Sequence, residues 1–151
     1  MATTGVFNGT SLVVLIGTEV IAYSTSCSLS IAIDVPDAST KESLGWAQEI
    51  RGQRSWSLTT DGLATVSPTT TVANYVSLPE LTTLAVTGAA VTVKFTTVNN
   101  DTVGGVTPVP ADAVWTGLAF IESVDMTADM ENPVTYSVSF KGTGVLTQSA
   151  N

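Results

Sequence analysis

Histidine is absent from this chain of 151 residues. Its absence removes the commonest general base and the commonest transition-metal ligand. Cysteine occurs once, at Cys27, so no intrachain disulfide can form, whereas small secreted domains more often carry several. Charge is scarce. Asp, Glu, Lys and Arg make up only 12% of the residues, and five Lys and Arg face thirteen Asp and Glu. The resulting net charge of −8 argues against tight nucleic-acid binding, which depends on cations that neutralise phosphates. No apolar run is long enough to cross a membrane as a helix, and Met1 to Gly5 lack the basic start of a secretory signal. Synthesis in the cytosol, with no membrane partner, is the simple expectation. Glycine-rich phosphate loops, nucleophile elbows and paired-cysteine motifs are missing as well, so neither an enzyme nor a cofactor is expected.

What is present is β-forming. Val, Thr, Ser and Ala dominate, and hydrophobic residues reach 44%. The length suits one domain over 1–151, with 1–11 as a flexible N-terminal segment and 147–151 as a polar tail. Leu12 to Ile16 and Glu19 to Ser24, separated by Gly17-Thr18, read as a hairpin. Cys27, Leu29, Ile31 and Ile33 then alternate with Ser26, Ser28, Ser30, Ala32 and Asp34, up to Pro36. Trp56 and Leu58 alternate with Ser55, Ser57, Thr59 and Asp61. Val91, Val93 and Phe95 mark a further strand, followed by a loop over 99–112. Phe120 to Met130 and Val134 to Lys141 read as a hairpin around Glu131-Asn132-Pro133. Val124, Met126, Val138 and Phe140 share its apolar face, and Asp125, Asp129, Ser137 and Ser139 its polar face.

One helix is predicted over about residues 78–87. Ser77 and Glu80 have capping-box spacing, Pro79 fits the first turn, and Gly88 can end the helix. The preceding stretch, up to Asn74, is a Thr-rich loop.

Candidate chemistry is thin. Cys27 on an apolar strand face reads as a structural thiol. Asn99-Asn100-Asp101 offers oxygen ligands for a hard cation without the spacing of a calcium loop, and reads as a turn. Trp46, Trp56 and Trp115 read as core or interface anchors. The low charge implies a surface buried against copies of the same chain. The polar strand faces carry Ser, Thr, Ala and Asp in place of the usual Lys, Glu, Arg and Gln. Two readings fit them, an ordinary solvated face and a surface kept low to leave a bore open.

Several blocks of the sequence stand out together. They run, in order, Ser24-Thr25-Ser26-Cys27-Ser28-Leu29-Ser30-Ile31, Thr40-Lys41-Glu42-Ser43 with Gly45-Trp46, and Arg54-Ser55-Trp56-Ser57-Leu58 with Asp61-Gly62-Leu63. The closing block is Pro133-Val134-Thr135-Tyr136-Ser137-Val138-Ser139-Phe140, then Gly142-Thr143-Gly144. Together these blocks resemble the major tail tube proteins of long-tailed phages, a resemblance that spans about Leu12 to Leu146 and leaves 64–74 and 99–112 peculiar to this chain.

The resemblance implies a mainly β tail-tube barrel or sandwich with one flanking helix and long loops. It implies homo-hexameric rings stacked head to tail in a virion tail, synthesis in the host bacterial cytoplasm, and passage of double-stranded DNA without tight binding. Implied partners are the tape measure protein, the baseplate or tail tip, and the tail terminator. On this scheme Leu29, Ile31, Val124, Met126, Val138 and Phe140 fill the subunit core. Ser28, Ser30, Asp34, Asp125, Asp129, Ser137 and Ser139 line the lumen, where acidic groups repel phosphate. Two alternatives stand beside it, the inner tube of a contractile particle and a β-sandwich surface binding module.

Overall fold

In the computed structural model the described residues are 12–21, 23–64, 75–102, 105–108 and 114–149, the side chains of 97–108 excepted. The expected N-terminal segment and most of the 64–74 loop lie outside them. Among them nine strands and one α-helix follow in the order β1 (Leu12–Ile16), β2 (Glu19–Ile21), β3 (Ser24–Ile33), β4 (Arg54–Leu63), β5 (Tyr75–Val76), α1 (Leu78–Thr87), β6 (Val91–Thr102), β7 (Gly105–Pro108), β8 (Val114–Thr127) and β9 (Thr135–Ser149).

The strands form one sheet in the order β3-β4-β9-β8-β6-β1-β2-β5, with β7 pairing to β6. All neighbours are antiparallel except β2 and β5. The sheet curls, so that the edge strand β3 meets β1 across the interior and the Cys27 thiol lies 3.5 Å from the Leu12 carbonyl oxygen. Between the two wings sits the core: Val14, Ile21, Leu58, Val93, Val138 and Phe140 are almost wholly buried. Burying one such side chain is worth about 1.5–3 kcal/mol, which makes this layer the main support of the fold.

α1 covers one end of the core with Leu81, which is fully buried, while Leu78 and Leu84 pack against the same cluster. Its start is held by Glu80, whose Oε2 accepts from the Ser77 backbone N–H (2.7 Å) and from the Ser77 hydroxyl (3.0 Å). It stops at Gly88 in the left-handed conformation, with φ +67°. The helix lies where the capping residues put it.

Four expectations need correction. Ile31 and Met126 were expected in the core and are instead 55% and 58% exposed. Ile31 sits where β3 and β4 leave the body as an arm, and Met126 lies near the open end of β8. The loop expected over 99–112 is in part a hairpin, since β6 continues to Thr102 and pairs with β7. The polar run Asn99-Asn100-Asp101 conceals this pairing, because alternating apolar residues are the signal from which a strand is read. The polar tail expected from residue 147 is strand as far as Ser149, because Thr147 and Ser149 pair with Thr116 and Val114. Asp129 was read as a strand residue, but β8 ends at Thr127 and Asp129 belongs to the following turn.

Candidate functional site

The register of β3, β4, β9 and β8 fixes which side chains share a face. One face is the core side, with rows Cys27–Thr60–Val138–Val124 and Leu29–Leu58–Phe140–Ile121. The opposite face carries the rows Ser26–Asp61–Ser137–Asp125, Ser28–Thr59–Ser139–Ser123 and Ser30–Ser57–Lys141–Phe120. Side chains here are short and polar, apart from Lys141 and Phe120 at one end. Ser28, Ser30 and Asp125 are exposed, and Ser57, Thr59, Asp61, Ser137 and Ser139 are half-buried among their neighbours.

A bulge keeps this face uniform. The register shifts between Ile121 and Ser123, so Glu122 is the extra residue on β8. A bulge turns the following side chains to the other side of the strand. Without it Ser123 and Asp125 would point into the core with Ile121.

Five of the seven expected lumen residues therefore come together on one sheet face: Ser28, Ser30, Asp125, Ser137 and Ser139. Asp34 and Asp129 do not join them. Asp34 lies beyond β3 in the arm, where its N–H donates to the Gln53 carbonyl and its own carbonyl accepts from Gly52 (2.8 Å each). Asp129 is exposed in the turn between β8 and β9. Asp61, Thr59 and Ser57 were not counted among the lumen residues, although their alternation with Leu58 already marked them as a face. Asp61 is held in place, its carboxylate accepting a 2.9 Å bond from the Ser26 hydroxyl.

Behind Asp61, on the core side, Tyr136 is 4% exposed. Loss of solvation, with a smaller contribution from the Asp61 charge, pushes its phenol up to about 12. Cys27 is also raised above its ordinary value by burial, which favours the inert thiol and fits a structural role. Among the described residues no group of His, Cys, Asp and Glu could hold a metal ion, and no helix is long and apolar enough to cross a membrane.

The second feature is the arm over residues 34–53. Its two sides are zipped by backbone bonds from Ala38 to Gln48 (2.7 Å) and from Ile50 to Pro36 (3.1 Å). The tip is a short 3-10 turn, Lys41–Ser43, in which the Ser43 hydroxyl accepts from the Thr40 N–H at 3.0 Å. Leu44 follows in the left-handed region with φ +52°, unusual for a bulky residue, and is 88% exposed. Trp46 is 80% exposed, in contrast to the buried Trp56 and to Trp115, whose ring meets Phe95 at 5.8 Å.

The described residues thus form a curled sheet with a covering helix, a polar face of small side chains, and an arm whose tip exposes Leu44 and Trp46. The profile of the phage tail tube protein family matches residues 6–148, and the chain belongs to that family. It is a structural component of a virion tail of a phage or a related particle, and not an enzyme. The fold is similar to a subunit in the tail of an empty gene transfer agent particle refined with C6 symmetry, at 18% identity and TM-score 0.74, covering 96% of this chain and all of that one. It is similar to the tail tube of SPP1, at 10% identity and TM-score 0.68, covering 95% and 79% of the two chains. A third similar chain comes from the sheath–tube complex of an extracellular contractile injection system, PVC, at 16% identity and TM-score 0.63, covering 93% and 88%. No curated protein sequence matches the chain.

Proposed function

We propose that this chain forms hexameric rings that stack head to tail into a tube, with the polar face of β3, β4, β9 and β8 turned to the lumen. The observation that carries the reading is the composition of that face. Across four strands it presents Ser, Thr and Asp in register, apart from Lys141 and Phe120 at one end. A face open to bulk solvent normally mixes long charged side chains of both signs. Short side chains keep a bore wide, and Asp61 and Asp125 repel phosphate, so double-stranded DNA slides past during ejection without adsorbing. Among the described residues the sheet also ends at β3, an edge whose backbone groups a neighbouring subunit in a ring would satisfy. Terminator, baseplate or tail tip, and tape measure proteins are the partners this role requires.

A tube inside a contractile sheath is the second reading, favoured by the similarity to the PVC subunit. Electron microscopy of the purified chain at rising concentration, alone and with baseplate proteins, tests the assembly. Six-fold rings or hollow tubes are expected, and persistent monomers under both conditions would count against it. Capture of a sheath protein by the assembled tube separates the two readings.

A further inference from the structure

The outward side of α1 is less polar than its threonines suggest. Thr82 and Thr83 each donate a hydroxyl to the Pro79 carbonyl, and Thr87 donates to the Thr83 carbonyl, all at 2.8 Å. Hydroxyls bonded back to the helix leave the γ-methyl groups as what these residues offer a partner. Val86 stands among them at 90% exposure. Beside this face a groove of about 380 Å³ opens between α1 and β1, lined by Ile16, Val76, Pro79, Thr83 and Leu84. Of the two carboxylates on its rim, Glu80 is bonded to Ser77 and Glu19 is exposed. No Lys or Arg lies between residues 55 and 93. A mainly apolar groove with so little charge suits an apolar, uncharged segment.

The chain contains such a segment. Residues 1–11, which lie outside the described residues, hold no charged side chain and carry Val6-Phe7 between Gly5 and Asn8-Gly9. Residues 64–74 are uncharged too but contain no aromatic side chain. The chain enters β1 at Leu12, whereas Ile16, in the groove wall, is the other end of that strand, about 13 Å away. Phe7 stands five residues before Leu12, a reach of at most about 18 Å. To return to its own groove it would have to reverse and retrace β1, which is paired with β6 along its length and with β2 at Leu15 and Ile16. The groove within its reach in an assembly is that of a neighbouring copy.

We propose that residues 1–11 of one copy dock in the α1 groove of a neighbouring copy, an inference that rests on the tube reading above. Phe7 and Val6 pack among Ile16, Val76, Pro79 and Leu84. Segment and groove are different surfaces, so the contact is heterologous and repeats from copy to copy. Burial of apolar surface supplies the affinity, and no charge pair is needed.

The test uses the full chain. In a Cys27→Ser background, Asn8→Cys and Thr83→Cys are combined and assembled protein is oxidised. A ladder of covalent multimers on a non-reducing gel is expected, and neither single-cysteine variant should give one. A monomer band that has lost both free thiols would put the segment on its own groove and overturn the contact between copies. In parallel, Phe7→Ser and Thr83→Arg should each raise the critical concentration for tube growth about tenfold and leave the thermal midpoint of the free subunit unchanged. Both variants break the same contact, so combining them should add little to either alone. Tubes that form without a ladder, and at the wild-type concentration in both variants, overturn the docking and leave the tube reading standing. A wild-type chain that gives neither rings nor tubes, even with baseplate proteins, overturns both.

Discussion

The indole of Trp56 occupies the space that a Cβ on Gly142 would need, and its Nε1 donates to the Gly144 carbonyl at 3.3 Å. A Cβ at Gly117 would stand 2.5 Å from the benzo end of the same ring. Two glycines on adjacent strands thus form the seat of the one tryptophan in the core, at the point where the arm leaves the body. Adding a methyl group at Gly142 forces the ring or the backbone to move, and overpacking of this kind costs about 1–3 kcal/mol. Gly142→Ala should lower the urea midpoint of subunit unfolding accordingly, and Trp56→Ala should cost about 3–5 kcal/mol. A Gly142→Ala chain as stable as wild type would mean that Trp56 does not sit there.

The helix start offers a smaller, cleaner effect. Glu80 accepts from both the backbone and the hydroxyl of Ser77. Ser77→Ala removes the hydroxyl donor and the capping residue, and loss of such a cap costs about 1 kcal/mol. Thermal unfolding should show that decrease, whereas Thr87→Ala, on the exposed last turn, should change the midpoint far less.

Tyr136 makes stability depend on alkaline pH. Its phenol titrates at about 12 in the folded chain, above the ordinary value of about 10 for an unfolded tyrosine. The raised value means the fold holds the neutral phenol. Its contribution is fully present below pH 10 and is lost as pH rises through 12, since the unfolded state releases the proton first. Unfolding free energy should therefore fall between about pH 10 and 12. Tyr136→Phe should flatten that part of the profile, and an unchanged slope would show that another group controls it.

Much of this architecture is legible in the residues because period-two alternation reports directly on faces. Alternation alone pairs Ser28 with Ser30 and Ser137 with Ser139, the family resemblance brings the two pairs onto one face, and Ser77, Glu80 and Gly88 locate the helix. Alternation says nothing, however, about where a sheet stops having a partner. Ile31 and Ile33 continue the pattern of Cys27 and Leu29 but extend past the body, so the same pattern yields core at one end and exposed arm at the other. Nor does it reveal a bulge: Phe120 and Val124 have the same parity yet lie on opposite faces because Glu122 is inserted between them. Asp129 was misplaced for a related reason, since polar and apolar residues keep alternating into the turn after pairing has ended.

The lumen assignment can be tested by reversing its charge. Asp125 is exposed at the end of a row that includes Asp61, and Ser139 lies in the adjacent row. Neither side chain supports the core, so Asp125→Lys with Ser139→Lys should leave subunit stability within about 0.5 kcal/mol of wild type. If this face lines the bore, each ring then carries a girdle of added cations. Short duplex DNA should be retained inside assembled tubes at low salt and released as salt rises, because each phosphate contact displaces a counterion. Wild-type tubes should retain none under either condition. Ejection from particles carrying the variant should slow in the same salt-dependent way. Tubes whose added lysines are instead modified by a bulky amine-reactive reagent excluded from the bore would place this face on the outside and remove the channel assignment.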